Sequence, residues 1–198
     1  MRLDGPERRR QIVAAARSVF GEHGYTGTST DQVARAAGVS QPYVVRTFGT
    51  KEQLFLEVAD SALTELLDAF DAVVHARPRP ADLPAALGDA YVDLAREGEV
   101  HLVLLQAFVQ GHDPAVGAWA RAALLRVYAV LREDAGLDAE TSWRFLAQGM
   151  MINVLLATDL VEQTTPAPDY VDELLHLAFG SAAPAIRASV AVLPLEGE

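Results

Sequence analysis

The side chains in this chain whose type and spacing suggest chemistry are cationic, and they lie together. Among the first 51 residues Arg2, Arg8, Arg9, Arg10, Arg17, Arg35, Arg46 and Lys51 stand against Asp4, Glu7, Glu22 and Asp31, a net charge of +4 that leaves −15 on the remainder of a chain whose total is −11. A basic module on an acidic body attracts phosphate on one face only, because the body repels a polyanion and confines contact to the N-terminal part. Catalytic chemistry has little footing. The absence of cysteine excludes disulfides, thiolate metal sites and a cysteine nucleophile. His101, His112 and His176 are not at metal-ligand spacing, and no Gly-rich phosphate loop or cluster of His with carboxylates is present. The sequence therefore predicts no enzyme, no cofactor and no bound metal.

The elements that position this charge are legible between Thr28 and Lys51, TSTDQVARAAGVSQPYVVRTFGTK. Ser29 with Gln32 forms a capping box, Val33, Ala34 and Ala37 follow at helical spacing, and Gly38 ends the helix. Ser40 caps the next helix with Pro42 in its first turn, and Thr50 with Gln53 opens a third with a second capping box. Two short helices joined by a tight glycine turn, behind a basic amphipathic helix, have the layout of a helix-turn-helix DNA reader.

At 198 residues, 51% apolar, the chain can bury a substantial core. Proline and glycine punctuate a sequence that otherwise reads as helical throughout, with no period-2 strand and no repeat. Helices are expected from about Glu7 to His23, then the pair above, then Lys51 to Ala76. Asp82 with Pro84 opens the next, to Arg96; others run from Glu99 to Gln110, from Asp113 with Pro114 to Ala135, from Asp138 to Glu162, and from Asp169 to Phe179. A short turn is expected around Ala185 to Val192. No apolar run approaches the roughly 18 residues that span a bilayer, the longest being Met150 to Ala157, interrupted by Asn153; Arg8 to Phe20 is too short and too charged for a signal peptide. A cytoplasmic protein without membrane association is the expectation.

A basic helix ending in HGYTGTST, then DQVARAAGVS, a short helix ending at Phe48 and GTKEQLF at the head of a long helix resemble the DNA-binding domain of the TetR family of bacterial regulators, over about residues 8–58. The resemblance implies an all-α fold of about nine helices: an N-terminal three-helix helix-turn-helix domain (1–50), a C-terminal helical ligand-binding and dimerisation domain (51–180) and a C-terminal tail (181–198). It implies that the third helix enters the major groove with Gln41, Pro42 and Tyr43 at bases or neighbouring phosphates. Gln suits adenine N6 and N7, and a proline ring suits a thymine methyl. Val45, Arg46 and Thr47 depart from the family's usual Tyr, aromatic and His, so Arg46 would supply a phosphate contact or read guanine, with Thr47 beside it and Tyr43 taking the aromatic role. Lys51 matches a phosphate ligand at a helix N-terminus. Thr28 and Ser29 match hydroxyl positions near phosphate, although capping alone would account for Ser29.

For the body, the resemblance implies an effector cavity and a two-fold interface. Phe55, Tyr91, Gln106, Phe108, Trp119 and Tyr128 are the candidate cavity residues; a buried Gln106 would need a partner, whether a ligand group, Tyr91, Trp119 or a backbone carbonyl. Trp143, Leu146, Gly149, Met150, Asn153 and Ala157, with Leu174, Leu175 and Ala178, are the candidate dimer contacts. The function so implied is a DNA-binding regulator, a repressor that binds a palindromic double-stranded operator as a homodimer and is released by a small, mostly apolar effector. A small-molecule-binding protein of the same fold without operator recognition is the alternative that residues 45–47 leave open.

Overall fold

In a computed structural model the described residues are 5–158, 160, 169–180 and 183, and all the regular structure among them is helical. The helices are α1 (Gly5–Gly27), α2 (Thr30–Ala36), α3 (Gln41–Phe48), α4 (Lys51–Val74), α5 (Leu83–Glu97), α6 (Val100–Val109), α7 (Pro114–Ala129), α8 (Ala139–Ala157) and α9 (Asp169–Phe179); α7 runs on through a π turn, Val130–Asp134. The expected turn at Ala185 to Val192 lies outside the described residues. So does the expected extension of α8 to Glu162, apart from Thr158 and the helical Leu160.

Both capping boxes form, Ser29 with Gln32 and Thr50 with Gln53. Asp82, Asp113 and Asp138 each accept backbone N–H groups at the heads of α5, α7 and α8. Ser40 differs from expectation: it holds the N-cap position of α3 without a side-chain bond, and Pro42 alone satisfies that first turn. Gly38, at φ 65°, makes the turn between α2 and α3. Gly24, at φ 72°, breaks α1 where the sequence predicts its end, but the chain re-enters a helical turn to Gly27. That turn folds Tyr25 back onto Phe55, ring centroids 4.8 Å apart, and Phe20, 5.0 Å from Phe55 and 6.3 Å from Tyr25, completes a three-ring cluster.

α4 joins the two halves. Its first turns bury Leu54, Phe55 and Val58 beneath α1 and α3, and later turns bury Leu63, Leu66, Leu67 and Phe70 against the body helices. α6 reaches back to touch α1 as well as α4. Pro114–Asp134 has the length and composition to cross a membrane, mean hydropathy 1.2. A search for unbroken apolar runs passes over it because Arg121 and Arg126 interrupt it, and here Val116, Ala120, Ala123, Val127 and Leu131 pack it into the core.

Candidate nucleic-acid interface and effector cavity

α3 presents an exposed ridge. Val44 and Phe48 are buried against the rest of the head, which turns Pro42, Val45 and Arg46 outward, with Val45 40% exposed. The Arg46 guanidinium lies 5.0 Å from the centre of the Tyr43 ring, a contact that orders a long side chain before it meets DNA. Gln41 Nε2 donates to Thr30 Oγ1 at 3.2 Å, which fixes the amide at the start of α3 while leaving its oxygen and one N–H. Thr47 Oγ1 donates to Tyr43 O at 2.8 Å, so this hydroxyl proton serves the helix.

Several cations are committed inside the head. Arg9 forms a two-pronged ion pair with Glu57, donates to Thr47 O at 2.9 Å and lies over Phe48. Arg17 pairs with Glu65 and donates to Ser61 Oγ at 3.1 Å. Arg9 and Arg17 stand eight positions apart on α1, as Glu57 and Glu65 do on α4, so the two pairs clamp one helix along the other. Local charge counting misses this because the acids lie beyond residue 51; the matching spacings were the available signal. Arg35 pairs with Asp31 at 2.9 Å and Arg10 with Glu7, both at the surface. Lys51 Nζ donates to Tyr25 O at 2.9 Å and sits 4.7 Å from the Tyr25 ring centre, which places its charge at the broken end of α1, within the turn that leads to α2.

One DNA-facing assignment changes. Thr28 is 3% exposed, and its hydroxyl reaches Gly24 O at 2.8 Å and Val19 O at 3.2 Å, so it closes the break in α1 instead of facing phosphate. Ser29 keeps its capping role at the surface.

In the body, Tyr91 and Phe108 border an apolar cavity of about 80 Å³ among α4, α6, α7 and α8, with Phe70, Phe145, Leu146 and Asn153. Four other candidates sit elsewhere. Phe55 belongs to the aromatic core of the head. Gln106 Nε2 donates to Phe20 O at 2.8 Å, so of the partners open to it a backbone carbonyl of α1 is the one it takes, tying the body to the head. Trp119 and Tyr128, both half-buried, border neither this cavity nor a larger cleft of about 360 Å³ between α5, α8 and α9. Tyr91 is buried and donates to Asn153 Oδ1; desolvation pushes its phenol up to about 12.

The interface candidates divide between two faces of α8. Trp143, Met150, Met151 and Val154 are exposed large apolar side chains, with Tyr170 and Leu177 of α9. Ala157 is exposed beside them, and Leu146 and Leu174 are half-buried. Asn153, Leu175 and Ala178 are corrected: they are buried within the chain, Asn153 against Tyr91, and Gly149 faces the same Tyr91 ring. Among the described residues no group of three or more His, Cys, Asp or Glu could hold a metal ion.

A three-helix head with an exposed second reading helix, carried by a long helix into an all-helical body, defines the class of helix-turn-helix regulators. Residues 12–58 match the model for bacterial regulatory proteins of the tetR family. The chain is 27% identical over 154 residues to the HTH-type transcriptional activator FasR of Mycolicibacterium smegmatis, covering 76% of this chain and 70% of that one. Over 82 residues it is 37% identical to the HTH-type transcriptional regulator BetI of Rhizobium meliloti, 41% of this chain and 40% of the relative. A TetR transcriptional regulator from Chloroflexus aurantiacus superimposes with a TM-score of 0.68 at 22% identity, covering 95% and 96% of the two chains. The head of the chain, residues 12–58, thus matches the tetR family of bacterial regulatory proteins, and the chain as a whole is similar in sequence to HTH-type transcriptional regulators and in fold to a TetR regulator.

Proposed function

We propose that this chain represses transcription from a palindromic operator as a homodimer in the cytoplasm, and that a small, mostly apolar effector releases it. The observation that carries the reading is the α3 ridge: Pro42, Val45 and an Arg46 already stacked on Tyr43, exposed on a head in which Arg9 and Arg17 serve the fold. Gln41 and Arg46 read bases, Lys51 and the helix terminus beneath it hold phosphate, and Val45 rests on a thymine methyl. The apolar face formed by Trp143, Met151, Val154, Tyr170 and Leu177 supports a two-fold interface, which doubles the DNA contacts.

Release follows from the placement of the cavity. α4 and α6 wall it, α4 carries the head, and Gln106 of α6 holds the last turns of α1. An effector that favours a wider cavity biases both connections and draws the two heads out of register with successive major grooves. The test is a reporter gene placed behind DNA that the chain recovers from a random pool. Expression should fall when the chain is produced; a rise would make it an activator, and no change would contradict the regulatory reading.

A further inference from the structure

The cavity among α4, α6, α7 and α8 is hydrocarbon and ring carbon except at one spot. Leu63, Leu66, Phe70, Phe108 and Val127 represent its lining, no Lys, Arg, His, Asp or Glu borders it, and its polar side chains are Tyr91 and Asn153. The Tyr91 hydroxyl donates to Asn153 Oδ1, while the Asn153 amide N–H groups have no partner among the described residues, although the residue is only 4% exposed. The amide nitrogen is not one of the wholly buried unpartnered atoms, so a ligand can reach it, and the lining offers it no other polar side chain to bind. The Tyr91 phenol, neutral in the physiological range even at its ordinary value, is pushed further up by desolvation.

We infer that this cavity selects a small uncharged ligand with an apolar body and one hydrogen-bond acceptor, a ketone, ester or ether oxygen, which takes the free Asn153 amide donor. The inference rests on the effector reading above and names the chemistry of that site. A carboxylate or ammonium would shed its water into a lining without a countercharge. The larger cleft between α5, α8 and α9 makes the opposite demand, because Asp82, Asp89 and Arg144 border it. At about 80 Å³ the apolar cavity is smaller than the roughly 150 Å³ space that accommodates benzene, so a ring-sized body enters as Leu124 and Met150, both part-exposed at its edge, give way.

Three probes of nearly equal size test this on the full chain: acetophenone, α-methylstyrene, which replaces the carbonyl oxygen by a methylene, and benzoate. Two-dimensional amide NMR reports both affinity and location. Acetophenone should shift resonances of α4, α6, α7 and α8 and bind about fivefold to tenfold more tightly than α-methylstyrene, the worth of one hydrogen bond. Benzoate should leave those resonances unmoved. In Asn153→Leu the advantage of acetophenone should vanish while α-methylstyrene still binds; if that variant does not fold, the ranking in the unaltered chain decides alone. Equal binding of acetophenone and α-methylstyrene, benzoate in this cavity, or no probe there at all would overturn the inference. Operator binding measured in parallel separates the two readings. An operator bound with no probe in the cavity removes the ligand class and leaves the regulator; the predicted ranking without any preferred DNA does the reverse.

Discussion

Arg46 carries the most weight of any single side chain. It is exposed on the reading helix, stacked on Tyr43 and without an acidic partner among the described residues, so Arg46→Ala should cost about 1–3 kcal/mol at one base pair of each half-site and flatten the preference there. Competition binding against operators substituted at that position checks it; a uniform loss across all variants would instead make Arg46 a phosphate contact. Arg17 predicts the opposite phenotype. It is paired with Glu65 and mostly buried, so Arg17→Ala should lower stability by about 1–2 kcal/mol in denaturant melts while leaving the ranking of DNA sites intact. Residue type alone separates these two arginines poorly. The positions of Gln41, Pro42 and Lys51 were legible because caps and glycine turns fix the frame around them. Thr28 and Phe55 were not, because the break at Gly24 turns Thr28 back onto the Val19 and Gly24 carbonyls and lays Tyr25 on Phe55, and periodicity carries no record of such contacts.

At the scale of the helices, α6 is the element whose chemistry reaches both halves. His101 in its first turn is buried, and desolvation, opposed by Gly98 and Glu99, lowers its pKa below the ordinary 6.5. The folded state therefore takes up a proton less readily than the unfolded chain: stability from this group is full above about pH 6.5 and is lost as the pH falls toward the lowered value. Melting temperatures measured between pH 7.5 and 5 should fall, and His101→Asn should flatten that part of the profile; an unchanged profile would remove His101 as its source. Gly49 makes a second prediction. At φ 81°, a Cβ there would strike the Gln53 amide that closes the capping box of α4, so Gly49→Ala should cost about 1–2 kcal/mol in a melt, with near-neutral behaviour contradicting the role. The starts of α2, α4, α5, α7 and α8 were readable from their caps. Which side of α8 faces its own chain was not: the sequence shows apolar stripes but not that Tyr91 of α5 bonds Asn153, which lies with Ser142, Ile152 and Leu155 on the buried side of the helix.

For the whole molecule, the division of charge and the exposed apolar face of α8 and α9 support the proposed arrangement, in which the acidic body repels DNA, the head meets it, and two copies join through that face. Leu177 is 67% exposed on α9, within that face. Leu177→Glu should leave the fold intact and shift the sedimentation behaviour from two chains to one, weakening operator binding about 100-fold or more as the second half-site contact is lost; an unchanged dimer would move the interface elsewhere. Whether two copies of this head read an inverted repeat is decided by selecting DNA bound by the full chain from a random pool. Two half-sites in opposite orientation should be recovered, centred about one helical turn or a little more apart, with a guanine in each whose preference Arg46→Ala abolishes. Recovery of a single unrepeated site, or of no preferred sequence beyond salt-dependent binding, would contradict the inverted-repeat reading.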